Sequence, residues 1–214
     1  MKKGFIVIVG CIVFASCNNS GKKGDPTGDT IKPVRTNTAG TEKKKEKVTV
    51  EKSAIINILD TVSPKRIVLY MKDSAKTFDR ISLKLGTIYG VKLAEVLKKN
   101  GIKMAGQPMA WYKTQKPPFF FEAGVPVNKR PAKLPNNVFI REMNTDSVLV
   151  AHFYGPYNHL NQGYDAVKER MKDEKKTAKG VPYEIYIDDP IDKNGKPVDP
   201  YKIRTDIIFP HTNN

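Results

Sequence analysis

Cysteine is almost missing from this chain. Its two cysteines, Cys11 and Cys17, both fall within the first 17 of 214 residues. Everything after them lacks a thiol, which excludes disulfides, thiolate zinc sites and a cysteine nucleophile. Histidine is scarce too. His152, His159 and His211 are the three present, and no pair has metal-ligand spacing with acids on a shared face. We therefore expect no metal, no haem ligation and no other cofactor. No apolar run reaches the roughly 20 residues that span a bilayer. Acidic residues are outnumbered 22 to 37, leaving a net charge of +15. Such an excess suits nucleic acid, but the basic residues are spread along the chain rather than gathered with aromatics into a groove. No nucleic-acid partner is expected.

The N-terminal stretch carries its own pattern. Lys2 and Lys3 precede a nearly all-apolar run, Phe5 to Phe14, and Ala15-Ser16-Cys17 then gives way to Asn18-Asn19-Ser20-Gly21. A charged start, a short apolar run and small residues read as a secretory signal. A cysteine directly behind the small residues resembles a lipobox, in which the thiol takes up diacylglycerol and becomes the mature N-terminus. The expected layout is a signal peptide over 1–16 and a lipidated, acylated (palmitate-type) Cys17. Ile8-Val9-Gly10-Cys11 fits the pattern as well but leaves little apolar region ahead of it. An ordinary cleaved signal and a retained anchor helix are the other readings. Residues 17–50 form a tether, because Gly, Pro, Thr, Lys and Asn cannot bury enough surface to order themselves. Between Lys22 and Lys47 there are eight basic residues against four acidic ones, a surplus that suits anionic lipid headgroups or a plain solvated spacer. The expected location is the cell envelope, anchored on the periplasmic side of the outer or inner membrane. Such a location also argues against DNA as a partner.

Residues 51–214 remain for one folded domain, and its informative feature is an internal repeat. Gly106-Gln107-Pro108-Met109-Ala110-Trp111-Tyr112 returns as Gly180-Val181-Pro182-Tyr183-Glu184-Ile185-Tyr186; both read Gly-x-Pro-x-x-x-Tyr. Tyr-Gly pairs precede each copy, at Tyr89-Gly90 and Tyr154-Gly155, and apolar runs ending in proline follow, at Phe119 to Pro126 and Ile203 to Pro210. Each half, about 64–127 and 146–210, reads strand, helix, strand, strand. The first half has a β-branched run at Arg66 to Met71. A helix follows with Ile81, Leu85 and Ile88 in step, ending at Asn100-Gly101 as a C-cap would. Strands over Met104 to Lys113 and Phe119 to Gly124 complete it. In the second half Ser147 to Tyr154 is the strand, and Gly155-Pro156 opens a helix. Tyr157, Leu160, Tyr164, Val167 and Met171 make that helix's apolar stripe. Strands Val181 to Ile187 and Ile203 to Phe209 then flank a turn at Asn194-Gly195. The predicted fold class is α+β: two pseudo-twofold-related β-α-β-β units in one antiparallel sheet, helices on one face, a ligand cleft between the halves.

Three strings resemble one family. They are Ala151-His152-Phe153-Tyr154-Gly155-Pro156-Tyr157, then Gly180-Val181-Pro182-Tyr183-Glu184-Ile185-Tyr186 with Asp188-Asp189-Pro190, and Glu122-Ala123-Gly124-Val125-Pro126-Val127. Over about residues 64–210 the chain resembles the GyrI-like domain, the effector-binding domain of bacterial transcription activators, distantly related to SOUL haem-binding proteins. The resemblance implies a cleft for bulky aromatic, often cationic molecules, with Glu184 as the acid among its aromatics. No DNA-binding helices accompany it here, so the regulator role is not implied.

Strand alternation puts Tyr183, Ile185 and Ile187 on one face and Glu184, Tyr186 and Asp188 on the other. The isoleucine face and Trp111 are expected against the helices, with Glu184 on the opposite, ligand-bearing face. Ala110 and Tyr112 are the first half's equivalents of Glu184 and Tyr186, and Tyr154 and Tyr157 are further candidates for the cleft. An acid in an aromatic cleft suits a cation, each ring face adding roughly 0.5–2 kcal/mol. The leading expectation is a monomeric, lipid-anchored small-molecule-binding module. One alternative is a hydrolase of small electrophiles that uses Glu184 with Tyr112 or Tyr186 to activate water; another is a protein-interaction domain without a ligand.

Overall fold

Two short links shape the sheet. In the computed structural model, which describes residues 52–114 and 116–213, strand β1 (Ile55–Ser63) passes into β2 (Arg66–Ala75) through Pro64 and Lys65 alone. Likewise β5 (Phe139–Met143) passes into β6 (Asp146–Tyr154) through Asn144 and Thr145. Yet β1 and β2 are not neighbours. The ladder runs β1-β6-β9-β8-β3-β4-β2-β5, where β3 is Met109–Tyr112, β4 Phe119–Val127, β8 Tyr183–Tyr186 and β9 Arg204–Asn213; β7 (Lys176–Ala178) pairs β9 alongside. Two residues reach about 10 Å at most between strand ends, so the two wings of the sheet must converge at this end. The nine-stranded sheet is antiparallel throughout, and it bends.

Two helical stretches cover one face, one over each half. Helix α1 (Phe78–Thr87) starts at Thr77, whose extended backbone and side-chain oxygen, accepting from the Arg80 amide, make an N-cap. It runs through a π-helical turn at Ile88–Leu93 into α2 (Ala94–Lys99). Asn100-Gly101 ends it as expected. Gly101 has φ 57°, and the amides of Gly101 and Ile102 donate to the carbonyls of Lys98 and Leu97, a Schellman pair. Ile81, Leu85, Ile88 and Leu93 pack onto Leu69, Ala110, Phe121 and Ala123. In the second half a 3₁₀ turn at Tyr157–His159 leads into α3 (Leu160–Asp173). Leu160, Tyr164, Val167 and Met171 pack onto Leu149, Ala151, Phe153 and Ile207. A fully buried side chain such as Val167 contributes about 1.5–3 kcal/mol.

The α+β plan of two related halves is thus present, with three strands added to it. β1, β5 and β7 were not anticipated. The facing of β8 also needs correction. Trp111, Tyr183 and Ile185 form a third buried cluster with Val68, Met109, Val148, Val150 and Ile208, on the face away from the helices. Glu184 faces the helices instead. The bend buries both sides of β8, so Tyr183, Glu184 and Ile185 are all buried, and apolarity does not reveal which side the helices take. Bulky Trp111 and Tyr183, their rings 5.5 Å apart, fill the inside of the bend, while alanines leave room beneath the helices. The signal peptide, Cys17 and the tether lie outside the described residues.

Candidate functional site

One rung of the ladder sets the site. Ile58 pairs with Ala151, Ala151 with Ile207, Ile207 with Glu184, Glu184 with Ala110, and Ala110 with Ala123. Directly paired residues share a face, so the whole rung lies under the helices, and Glu184 is its one ionisable member. The two copies of the sequence repeat meet here: Ala110 and Glu184 occupy equivalent positions in them and are paired with each other. The pseudo-twofold therefore passes between β3 and β8, midway between the two helical covers.

Tyrosines fill this seam. Glu184 is 3 % exposed, and three phenols donate to it: Tyr157 to Oε2 at 2.5 Å, Tyr186 to Oε2 at 2.8 Å and Tyr164 to Oε1 at 2.9 Å. Tyr112 reaches in from the other half, 3.2 Å from the Tyr157 hydroxyl and 3.0 Å from that of Tyr186. Tyr89, whose ring centroid is 6.2 Å from that of Tyr186, donates to the Met109 carbonyl at 2.8 Å and braces the strand beneath. Beside Glu184 opens a cavity of about 120 Å³, walled by Phe78, Ile81, Phe119 and Leu160 with Tyr112, Tyr157 and Tyr164.

Burial governs the electrostatics. It pushes the Glu184 carboxyl up, and the hydrogen bonds from Tyr157, Tyr186 and Tyr164 offset this only in part. Burial also lifts the phenols of Tyr89, Tyr112, Tyr157, Tyr164 and Tyr186, with the Glu184 charge reinforcing the rise. They stay protonated and act as donors. Each phenol has one proton, and this limits the arrangements. With Glu184 ionised, Tyr157, Tyr164 and Tyr186 all give theirs to the carboxylate, and Tyr112 gives its proton to Tyr157 or Tyr186. With Glu184 protonated, Tyr157 is released to donate to Tyr186, 2.7 Å away. The cluster thus supports a neutral acid or a carboxylate by reorienting hydroxyls.

Of the residues singled out in the sequence, Glu184, Tyr186, Tyr112 and Tyr157 come together, and Ala110 forms the floor beside Glu184 at 0 % exposure. Tyr154 does not join them. Phe153 packs into the α3 cluster, so its neighbour Tyr154 points to the other face, beside its pairing partner Arg204. Tyr164 was read as helix stripe alone. Its place seven residues after Tyr157 puts both side chains on the same side of the 3₁₀ turn and α3, a signal that needs the facing of β8 to be interpreted. Two of the histidines pair singly with acids: His152 with Asp206 at 2.6 Å and His211 with Asp60 at 3.2 Å. Among the described residues no group of three His, Cys, Asp or Glu side chains converges to hold a metal ion.

No family model matches the chain, and no curated protein matches it in sequence. Solved structures do. The C-terminal domain of EcmrR superposes with a TM-score of 0.62 at 20 % identity, covering 75 % of this chain and 99 % of that domain. EcmrR in its DNA complex with RPo gives 0.63 at 21 % identity over 74 % of this chain, which spans only 58 % of that longer protein. A hydrolase encoded by lin2189 from Listeria innocua gives 0.50 at 11 % identity, covering 72 % of this chain and 91 % of that one. These likenesses concern the fold.

Proposed function

We propose that this protein is a lipid-anchored, extracytoplasmic module that binds small amphipathic or aromatic molecules, cationic ones included, at the seam between its halves. One observation carries the reading: a buried carboxyl held, among the described residues, by phenols alone, at the junction of two half-domains and beside a cavity with apolar walls. A lone buried acid with no basic partner is costly, and a cation that enters the site turns that cost into affinity. The sequence resemblance to effector-binding domains supports the same class of function. The cavity is smaller than the roughly 300 Å³ of usual ligand sites. Entry of a ring system therefore requires the lining side chains to give way. The lipid anchor rests on the Cys17 motif.

Titration with tetraphenylphosphonium, a rigid aromatic cation, followed by calorimetry in the wild type and in Glu184→Gln, tests the reading. Saturable binding that weakens in the variant supports it; no binding, or binding blind to the substitution, removes it.

A second reading, hydrolysis of small electrophiles, draws on the raised carboxyl and the phenols around it, an arrangement suited to holding and activating water. Turnover of strained or ester electrophiles by the wild type and none by Glu184→Gln would select it.

A further inference from the structure

The face away from the helices holds a second concavity with its own chemistry. It is a trough of about 290 Å³ inside the bend, larger than the cavity at Glu184 and separated from it by the sheet. Two consecutive rungs form its floor. One is apolar, Leu59-Val150-Ile208-Tyr183; the next is polar, His152-Asp206-Ile185. Ser63, Pro64 and Arg66 close it where β1 turns into β2.

Three observations point to an occupant. First, the Tyr183 hydroxyl is buried, on a residue only 1 % exposed, and makes no well-formed hydrogen bond among the described residues, although Ser63 and Arg66 lie beside it. Leaving such a group unpaired is costly. Second, Arg66 Nη1 is buried and unpartnered in the same way, and no described carboxylate pairs with this guanidinium. Asp206, which lines the trough, takes a two-pronged contact from Arg204 at 2.7 and 2.8 Å plus His152, and Asp146 takes Lys179 at 2.9 Å. Third, the outer wall is apolar yet open, with Leu59 51 % and Val62 59 % exposed.

We propose that this trough is a binding site for a small amphipathic carboxylate, its head at Arg66 and Tyr183 and its apolar body over Val150, Ile208, Leu59 and Val62. A carboxylate has two oxygens for the two free donors, one charged and one neutral, and charge-assisted bonds of this kind are the strong ones. A cation is disfavoured because Arg66 would repel it. The site is independent of the cleft at Glu184, so either can fail without the other.

Octanoate, octanol and octylammonium, titrated into the full chain and followed by backbone amide shifts, provide the test. Octanoate should saturate, with the largest shifts in β1, β6 and β9 and at Arg66 and Tyr183. Octylammonium should bind at least tenfold more weakly. Arg66→Gln should weaken octanoate roughly ten- to hundredfold, with little change for octanol. Tyr183→Phe keeps the ring and removes only the hydroxyl, and should weaken octanoate several-fold. That variant decides the matter if Arg66→Gln does not fold. No saturable octanoate binding, equal binding of octylammonium, or unchanged affinity in the folded variants overturns the proposal.

Discussion

Ala110 and Glu184 lie directly opposite each other on β3 and β8 while occupying the same position in the two copies of the Gly-x-Pro-x-x-x-Tyr repeat. The two halves are alike in frame at this point and differ in one charge. That difference is placed on the pseudo-twofold itself, where three tyrosines of the second half bond to it and Tyr112 of the first half joins their hydroxyls.

Replacing Glu184 by Gln should weaken an aromatic cation by about 1–3 kcal/mol, the usual loss when a charge-assisted partner goes. The amide fills nearly the same space and finds phenol donors and acceptors, so the fold should persist. A neutral ligand of the same shape should lose much less. Calorimetry with the charged and neutral pair measures both; equal losses would show that packing rather than charge is recognised.

Stability should carry a pH signature from the same residue. The folded carboxyl is raised above its ordinary 4.5 by burial, so the folded protein keeps a proton that the unfolded chain releases. This contribution is present in full below about pH 4.5 and is lost as pH rises through the folded value. The difference in unfolding free energy between the wild type and Glu184→Gln should therefore shrink or reverse over that range. Cation affinity should run the other way, rising with pH as the carboxylate forms. Tyr157→Phe removes the strongest of the bonds that oppose the shift, and should move the binding midpoint to higher pH. Denaturant melts and binding isotherms from pH 4 upward would expose a flat profile if burial did not control this group.

Two glycines should respond oppositely to alanine. At Gly124 on β4 a Cβ would sit 2.7 Å from the Leu69 carbonyl oxygen and 2.8 Å from the Tyr70 Cβ. Backbone cannot yield there, and Gly124→Ala should cost about 1–3 kcal/mol. At Gly86 in α1 a Cβ meets nothing within 4 Å, so Gly86→Ala should gain roughly 0.5–1 kcal/mol from helix propensity. Thermal denaturation of both variants settles the signs.

The anchor proposal predicts that Cys17→Ser moves the protein from the membrane fraction to the soluble one and abolishes lipid labelling. A variant that stays in the membrane and stays labelled sinks it. Deleting residues 20–48 should leave the melting temperature of the domain unchanged, because the described core begins beyond them.

Much of the fold was legible because the central elements repeat. The helix stop at Asn100-Gly101, the apolar stripe from Leu160 to Met171 and the strands that flank the seam all carry strong local signals. The three strands that escaped notice share a cause. β1 and β5 end the ladder and β7 pairs only β9, so each has one partnered edge and mixed burial. Ile55, Leu59 and Val62 of β1 are exposed while Ile56 and Ile58 are only partly covered, and no clean alternation survives.

What the sequence by itself determined was local and pairwise: which residues alternate along a strand, where helices start and stop, and that two copies of one motif exist. That is enough to put Glu184 and Tyr186 on one side of β8 and Tyr183 and Ile185 on the other. Only the tertiary structure decided what each side meets. The bend buries both faces of β8, and a strand buried on both sides keeps its period without labelling its faces. The helices settle over Ala110, Ala123 and Ala151, and Gly163 lets α3 approach so closely that a Cβ there would come within 2.4 Å of the Ile207 Cδ1. Side-chain volume summed across neighbouring strands made that choice, and no single strand contains it.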